Sequence, residues 1–163
     1  SKMMGLGYPG GPVIESMARK GDPARIDFPR TFLEKGSFDF SFSGIKSAVG
    51  RYLAENPDRS EESLHHIAAG FQAAVSDVLI GKLLLACTEK DCTNAAVTGG
   101  VAANSTFCSE LSRQGEKSGI TVHVPAKEYC GDNAAMIAAR GFEQLMDGDV
   151  CSVFDDVFSR NRI

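Results

Sequence analysis

The sequence lacks the features of a membrane-spanning or disulfide-stabilised protein. No apolar run reaches the roughly eighteen residues that a membrane span requires, and Ser1 to Gly5 show no basic region followed by an apolar core. No Cys-x-x-Cys pair occurs, which disfavours a zinc ribbon. We therefore expect a cytoplasmic protein without membrane contact, whose cysteines are reduced and mostly buried. They are Cys87, Cys92, Cys108, Cys130 and Cys151.

The chain also lacks an excess of positive charge. Its 17 Lys and Arg residues are outnumbered by 21 Asp and Glu residues, so the net charge is -4. An autonomous nucleic-acid-binding domain needs clustered cations to neutralise phosphates. An RNA substrate would therefore need a partner subunit or further sequence. With 43% hydrophobic and 23% charged residues among 163, the composition is that of one ordinary globular domain.

Several catalytic motifs are missing as well. The sequence contains no His-Glu-x-x-His, Gly-x-Ser-x-Gly or Gly-Lys-Ser. His65 and His66 are adjacent and His123 is remote, so we expect ordinary surface or core roles for all three and no complete local metal site. Lys46 ends a Ser41 to Lys46 segment and is a candidate for contact with a phosphate or RNA, although a solvated lysine is the simpler interpretation.

The pattern of the first half predicts helices and a single strand. Four glycines and two prolines in residues 5–12 predict a shaped loop, after which Pro12 suits the first position of a helix that stops at Gly21. Alternating Phe residues predict a strand over 38–42. Helices follow from a Ser43 cap to about residue 56, and from a Ser60 cap to about residue 89.

The second half predicts two strand-to-helix units. An apolar run at 95–97 and the alternation of Val122 and Val124 with His123 predict strands, and the segments 102–115 and 133–146 are predicted as helices. Two strands joined through one helix predict parallel pairing with a right-handed crossover. The chain is therefore expected to be an α/β protein.

Two turns in these units are candidate sites. Gly99-Gly100-Val101-Ala102-Ala103-Asn104 follows a strand and opens a helix, where backbone N–H groups point at an anion, although a tight structural turn is the alternative. Asp132 lies between a strand and a helix and could bind a metal or cap the helix. A lone carboxylate cannot hold a transition metal without further ligands.

Four motifs in this order resemble one family closely. They are Gly7-Tyr8-Pro9-Gly10-Gly11-Pro12, Asp39-Phe40-Ser41-Phe42-Ser43-Gly44-Ile45-Lys46, the Gly99 to Asn104 turn, and Asp132-Asn133-Ala134-Ala135-Met136-Ile137-Ala138. The chain is identified by them as a member of the tRNA threonylcarbamoyladenosine transferase family, historically called O-sialoglycoprotein endopeptidase or glycoprotease.

The resemblance implies the ASKHA fold shared with actin, Hsp70 and sugar kinases, in which two ribonuclease H-like lobes clasp a nucleotide. Residues 1–163 correspond to part of the carboxy-terminal lobe with added helices. We expect a loop, strand and helical insertion in 1–93, a β-α-β-α nucleotide- and metal-site segment in 94–148, and a tail in 149–163. The family's His-x-x-x-His metal pair, Ser-Gly-Gly-His-Thr phosphate loop and substrate-binding Asp do not occur in this sequence.

The resemblance also implies roles for particular residues. Gly11, Gly99, Gly100 and Asn104 match contacts to the nucleotide or threonylcarbamoyl-adenylate, and Asp132 matches a ligand of one divalent metal ion, Fe or Zn; no catalytic residue is assigned. Gly131 departs from the Thr or Ser usual before that Asp. The implied reaction transfers a threonylcarbamoyl group to adenosine 37 of tRNAs that read codons starting with A. Implied partners are tRNA, a sister ASKHA subunit and a small P-loop ATPase.

Three alternatives stay open. The older metal-dependent endopeptidase assignment needs histidines that this chain does not supply. A non-catalytic interaction module describes the isolated chain better, because half of the expected site is missing, and a sugar kinase lacks its phosphate motifs. We expect residues 1–163 alone to be inactive, to hold neither metal nor adenylate fully, and to self-associate through surfaces that the missing half would cover.

Overall fold

The computed structural model describes residues 1–31 and 37–152. Within these residues, five α-helices and two short strands follow one another along the chain, with three 3-10 turns at Lys2–Met4, Gly100–Ala103 and Lys127–Tyr129. The chain is thus a mixed α/β protein. The elements are α1 (Gly10–Ala18), α2 (Ser43–Glu55), α3 (Glu61–Glu89), β1 (Asn94–Ala96), α4 (Ser105–Lys117), β2 (Thr121–His123) and α5 (Ala134–Met146).

Helix α3 is the central element of the fold. It starts as predicted, because the Ser60 hydroxyl accepts a hydrogen bond from the Ser63 N–H, and Glu61 and Glu62 lie at its positive end. Its 29 residues contact α1, α2, α4 and β1. By length and composition alone, α3 is long and apolar enough to cross a membrane. Its buried face, which includes Ile67, Ala74 and Ile80, packs instead against neighbouring helices, as in a core helix.

Three hydrophobic clusters lie along α3, and the third joins Cys87 near its end to Ala95 and Ile120. The first joins α1, α2 and the first half of α3 through Ile14, Val49 and Ile67, together with Phe28 from the preceding loop. The second joins the other half of α3 to α4 through Ile80, Phe107 and Leu111. These contacts fix α1 and α4 on the same helix, and so fix the two turns that precede them.

Strands β1 and β2 confirm the predicted parallel pair. Asn94, Ala95 and Ala96 lie opposite Thr121, Val122 and His123, and the connection between the strands contains α4. Both strands are one residue earlier than the pattern predicts. The pair is followed by α5, so these elements follow one another in the order β-α-β-α.

The predicted strand over 38–42 is wrong. Residues 37–42 form no strand, and the rings of Phe40 and Phe42 stack on each other at 6.1 Å with planes 7° apart. Alternation of apolar residues makes a strand only where a neighbouring strand accepts its hydrogen bonds. In the described parts of the chain, β1 and β2 pair only with each other.

Three predicted helix starts are also wrong in detail, among them that of α4, which begins at Ser105 and not at residue 102 because residues 100–103 form a 3-10 turn. Helix α1 begins at Gly10, before Pro12, because the missing N–H of proline is tolerated anywhere in the first turn. Ser43 is the first residue of α2 and makes no capping hydrogen bond; its hydroxyl lies 2.9 Å from that of Ser41. The thiols are free as predicted, but Cys92 and Cys151 are exposed.

Helix α5 has no buried residue. Its exposed apolar side chains form a surface that we call the α5 apolar face, with Phe142, Leu145 and Met146 each more than 60% exposed. Alanine and large apolar residues form this helix, which is capped by the Asn133 side chain at the Met136 N–H. A helix of this composition normally packs against a partner. The face consists of Met136, Ile137, Phe142, Leu145 and Met146.

Helix α3 packs closely at Gly70 against the backbone of Ile26, and this contact predicts an effect on stability. A Cβ at Gly70 would lie 2.5 Å from the Ile26 carbonyl oxygen, whereas a Cβ at Gly141 in α5 has no other group within 4 Å. We expect Gly70→Ala to lower the free energy of unfolding by about 1–3 kcal/mol. Gly141→Ala should raise it by up to about 1 kcal/mol. Urea unfolding followed by far-UV circular dichroism measures both; equal effects would contradict the packing described.

Candidate functional site

The candidate site is a cavity of about 670 Å³ between α1, α3 and the turn before α4. Gly11 enters it from α1, Gly100 and Asn104 from the turn, and Lys127 from the loop after β2. Phe71, Val75 and Leu79 of α3 form an apolar wall. The fold thus brings together three of the residues that sequence analysis singled out, although they are far apart along the chain.

Glycine has a structural reason at these positions. Gly99 has φ +86° and ψ -180°, a conformation that residues with a side chain rarely adopt. Gly11 and Gly100 have ordinary φ values, and a Cβ at either would meet no other group within 4 Å. Glycine at these two positions therefore leaves the space beside the backbone open, whereas at Gly99 it permits the backbone conformation. A side chain at Gly11 or Gly100, both of which line the cavity, would take up space there.

The Asn104 side chain makes two hydrogen bonds within the protein. Its Oδ1 accepts a hydrogen bond from the Phe107 N–H at 2.9 Å and so caps α4, while its Nδ2 donates to Gln72 Oε1 at 2.8 Å. The side chain is therefore held between α4 and α3 at the cavity wall. Gln72 was missed by sequence analysis, because a glutamine on a long helix has no local pattern that reveals its partner.

Glu15 connects the two halves of the site. Its Oε1 accepts hydrogen bonds from the backbone N–H and the hydroxyl of Ser105, at 3.1 and 3.0 Å, and from Arg19 Nη2 at 2.7 Å. Arg19 also donates to the Ser105 hydroxyl at 2.8 Å. Sequence analysis missed this carboxylate. The signal in the sequence was an acid next to Ile14 on the apolar side of α1, which must find a buried partner.

The environment of Glu15 lowers its pKa. Burial alone would raise the pKa of this carboxyl, but the Ser105 N–H, the Arg19 guanidinium and the Ser105 hydroxyl together outweigh burial. Glu15 is therefore ionised at neutral pH, and its negatively charged carboxylate accepts the hydrogen bonds from Ser105 and Arg19.

Asp132 lies in a neighbouring cleft of about 570 Å³, together with Gly99, Tyr129 and Asn133. It is exposed and has no hydrogen bond or ion pair with another described residue. The helix cap that Asp132 could have provided comes from Asn133. The sequence-predicted site residues are thus divided between two clefts, with Gly99 and Gly100 at the boundary.

The described residues do not by themselves fit a metal ion. Residues 1–31 and 37–152 contain no group of three or more His, Cys, Asp or Glu side chains that could hold one. The histidines have other contacts: His66 Nδ1 accepts the Asp22 N–H at 2.9 Å, and His123 Nε2 lies 3.0 Å from Asn94 Oδ1. Asp132 can supply one ligand at most.

Comparison with known proteins gives one family. The family model described as tRNA N6-adenosine threonylcarbamoyltransferase (TsaD) matches residues 1–139. A curated tRNA N6-adenosine threonylcarbamoyltransferase from Desulforapulum autotrophicum is 52% identical over 162 residues, which is 99% of this chain. Proteins of the same name from Moorella thermoacetica and Geotalea uraniireducens are 47% and 43% identical over 91% and 95% of the chain.

The matched chains are much longer than this one. The alignments cover 49%, 44% and 45% of the Desulforapulum, Moorella and Geotalea proteins. The chain therefore spans about half the length of the curated relatives it matches. All four sequence motifs lie within the residues that the family model covers, the last of them almost to its end.

The Glu15 bonds predict a pH-dependent stability. A carboxyl whose folded pKa is lowered contributes stability above its ordinary pKa, about 4.3, and loses it as the pH falls through the folded pKa. We expect Glu15→Gln to reduce the free energy of unfolding by about 1–3 kcal/mol at pH 7, with the difference from wild type shrinking below about pH 4.

Urea unfolding at a series of pH values measures this difference. Glu128→Gln is the matched control, since Glu128 is exposed and has no partner among the described residues. The same loss of stability at every pH would contradict a role for the Glu15 charge.

Proposed function

Because the chain belongs to the tRNA N6-adenosine threonylcarbamoyltransferase family, we propose that it forms the carboxy-terminal half of an enzyme with that activity. The enzyme would transfer a threonylcarbamoyl group from threonylcarbamoyl-AMP to N6 of adenosine 37 in tRNAs that read codons starting with A. The observation that carries this proposal is the convergence of Gly11, Gly100 and Asn104 on one cavity. These residues would contact the adenylate.

The cavity supports an orientation for the adenylate. Pro9 precedes α1 and offers no side-chain cap, so first-turn N–H groups of this nine-residue helix remain available near Gly11. At the start of α4, in contrast, Asn104 and Glu15 already accept the N–H groups of Phe107 and Ser105. The phosphate would therefore lie at the start of α1, where the helix dipole favours an anion. Lys127 would add positive charge.

The proposed reaction is an acyl-type substitution. The N6 amine of adenosine bonds to the carbamoyl carbonyl carbon, the bond from that carbon to the phosphate oxygen breaks, and AMP leaves with the electron pair while the amine loses a proton. This chain would contribute binding and orientation. No catalytic residue is assigned to it, and because its described residues do not complete a metal site, no step is assigned to a metal.

Asp132 remains the proposed metal ligand of this half. Its exposed carboxylate beside Gly99 would supply one ligand to a divalent ion, Fe or Zn, whose other ligands come from the rest of the enzyme. Neither the metal nor the adenylate would be held fully by residues 1–163. We also propose, from the family resemblance, the ribonuclease H-like lobe of an ASKHA protein, a sister ASKHA subunit and a small P-loop ATPase as partners, and a cytoplasmic location.

The alternative functions have less support. The matched relatives carry the transferase name, and the described residues hold no cluster suited to a zinc protease. A non-catalytic module describes the expected behaviour of the isolated chain, since it spans about half the length of its relatives. The two ideas are compatible: the full-length enzyme is active and this half alone is not.

A chimera tests the proposed function. The chain replaces the matching half of the Desulforapulum relative, with which it is 52% identical. The tRNA is incubated with threonylcarbamoyl-AMP, the sister ASKHA subunit and P-loop ATPase of the same organism, and either the chimera or the isolated chain. We expect mass spectrometry of the digested tRNA to detect threonylcarbamoyladenosine with the chimera and none with the isolated chain. A folded chimera without activity would refute the proposal, and activity of the isolated chain would refute its dependence on the other half.

Gly11→Met in the chimera tests the site itself. Methionine fits a helix but would project into the cavity, so transfer should fall by at least about tenfold with little change in thermal stability. Glu116→Met places the same side chain at an exposed position of α4 outside the cavity and should keep full activity. Equal activity of the two variants would place the adenylate elsewhere.

The α5 apolar face supports self-association of the isolated chain, which we propose as a further property. Phe142 and Met146 are 64% and 70% exposed, and apolar surface of this kind favours association. Sedimentation velocity should show dimers or larger species that diminish in a Phe142→Gln, Met146→Gln double variant. A monomeric wild-type chain at high concentration would contradict this expectation.

A further inference from the structure

An exposed pair of aromatic rings lies beside the candidate site. Phe40 and Phe42 are 47% and 40% exposed, and their rings stack on each other with planes 7° apart. Large apolar rings normally gain most by full burial. A flat aromatic surface open to solvent is the kind of platform on which unpaired nucleic-acid bases stack.

Two unneutralised cations lie on the elements next to these rings. Lys2 belongs to the 3-10 turn Lys2–Met4, and Lys46 to α2; both are exposed, and neither forms an ion pair with a described residue. The turn and the helix meet where Met3 Sδ would lie 3.8 Å from a Cβ at Gly50. We call the group Lys2, Phe40, Phe42 and Lys46 the aromatic–basic surface.

The aromatic–basic surface adjoins the candidate site. Phe42 and Lys46 line a second, apolar cavity of about 440 Å³. This cavity shares six lining residues with the candidate site, among them Ser1, Leu79 and Val101. A molecule bound across Phe42 and Lys46 would therefore lie next to the cavity in which the adenylate is proposed to bind.

We propose that the aromatic–basic surface binds an unpaired loop of RNA, with phosphates on Lys46 and Lys2 and a base stacked on the Phe40–Phe42 pair. The proposal rests on the proposed function, since that activity requires an RNA adenosine beside the adenylate. Separate cations beside a planar aromatic pair match the alternation of phosphate and base along a single strand. The net charge of -4 leaves such local cations as the means of attracting RNA.

Fluorescence anisotropy of the 163-residue chain tests this surface. Two labelled RNAs of equal length are compared, a hairpin with unpaired adenines in its loop and a fully paired duplex, at several salt concentrations and without adenylate. We expect the hairpin to bind at least about fivefold more tightly than the duplex, because each stacked base adds affinity that a duplex cannot provide. Equal binding, or no binding of either RNA, would overturn the proposal.

Matched variants separate charge from stacking. Lys46→Gln should weaken hairpin binding and reduce the slope of log affinity against log salt by about one, while Lys46→Arg should bind as wild type. Phe42→Leu keeps apolar bulk but removes the ring, and should weaken binding by at least about fivefold at an unchanged salt slope. The controls are Lys117→Gln on α4 and Phe142→Leu on α5, both exposed and far along the chain.

The outcomes distinguish a specific RNA surface from nonspecific binding and from a membrane-binding surface. Equal effects of Lys46→Gln and Lys117→Gln, or of Phe42→Leu and Phe142→Leu, would show nonspecific binding and overturn the proposal. Phosphatidylserine vesicles that displace the hairpin as efficiently as unlabelled hairpin would assign the surface to a membrane instead.

Because binding is measured without turnover, an inactive chimera together with specific RNA binding refutes only the proposed transferase function. An active chimera without RNA binding here refutes only this surface.

Discussion

The hydrogen bonds between Glu15 and Ser105 connect the two segments from which the candidate site is built. Glu15 lies on α1 and Ser105 is the first residue of α4, and one carboxylate oxygen accepts both the N–H and the hydroxyl of Ser105. Arg19 donates to both partners. The apolar clusters along α3 bring α1 and α4 near each other, and the directional bonds of Ser105 to the Glu15 charge join the two helices directly, close to Gly11 and Asn104.

This arrangement also decides which helix start is available to a ligand. At α4, protein side chains accept the N–H groups of Ser105 and Phe107, so the positive end of the helix is largely occupied by Glu15 and Asn104. At α1, no side chain caps the first turn. Both helices reach the same cavity, yet their first turns differ: N–H groups of α4 donate to side chains that hold the site together, whereas those of α1 have no side-chain cap among the described residues.

Local patterns predicted those parts of the fold that depend on local physics. The Ser60 cap, the length of α3 and the parallel β1–β2 pair follow from capping chemistry, apolar period and strand-helix-strand order. The strand expected at 38–42 failed because alternation says nothing about whether a pairing strand is near. Glu15, Gln72 and the division of Gly99 and Gly100 between two clefts depend on contacts across the fold, which no single motif encodes.

The candidate metal ligand Asp132 and the exposed apolar face of α5 are adjacent to each other. Asp132, an exposed carboxylate with no described partner, lies two residues before α5, and α5 exposes an apolar face along its whole length. A carboxylate needs further ligands before it binds a metal tightly, and an apolar helix needs a covering surface. Since Asn133 caps the start of α5 through its bond to the Met136 N–H, the carboxylate and the exposed helix are directly adjacent. In the proposed full-length enzyme, a segment that covers α5 would approach Asp132, so burial of the helix and completion of the metal site would be coupled.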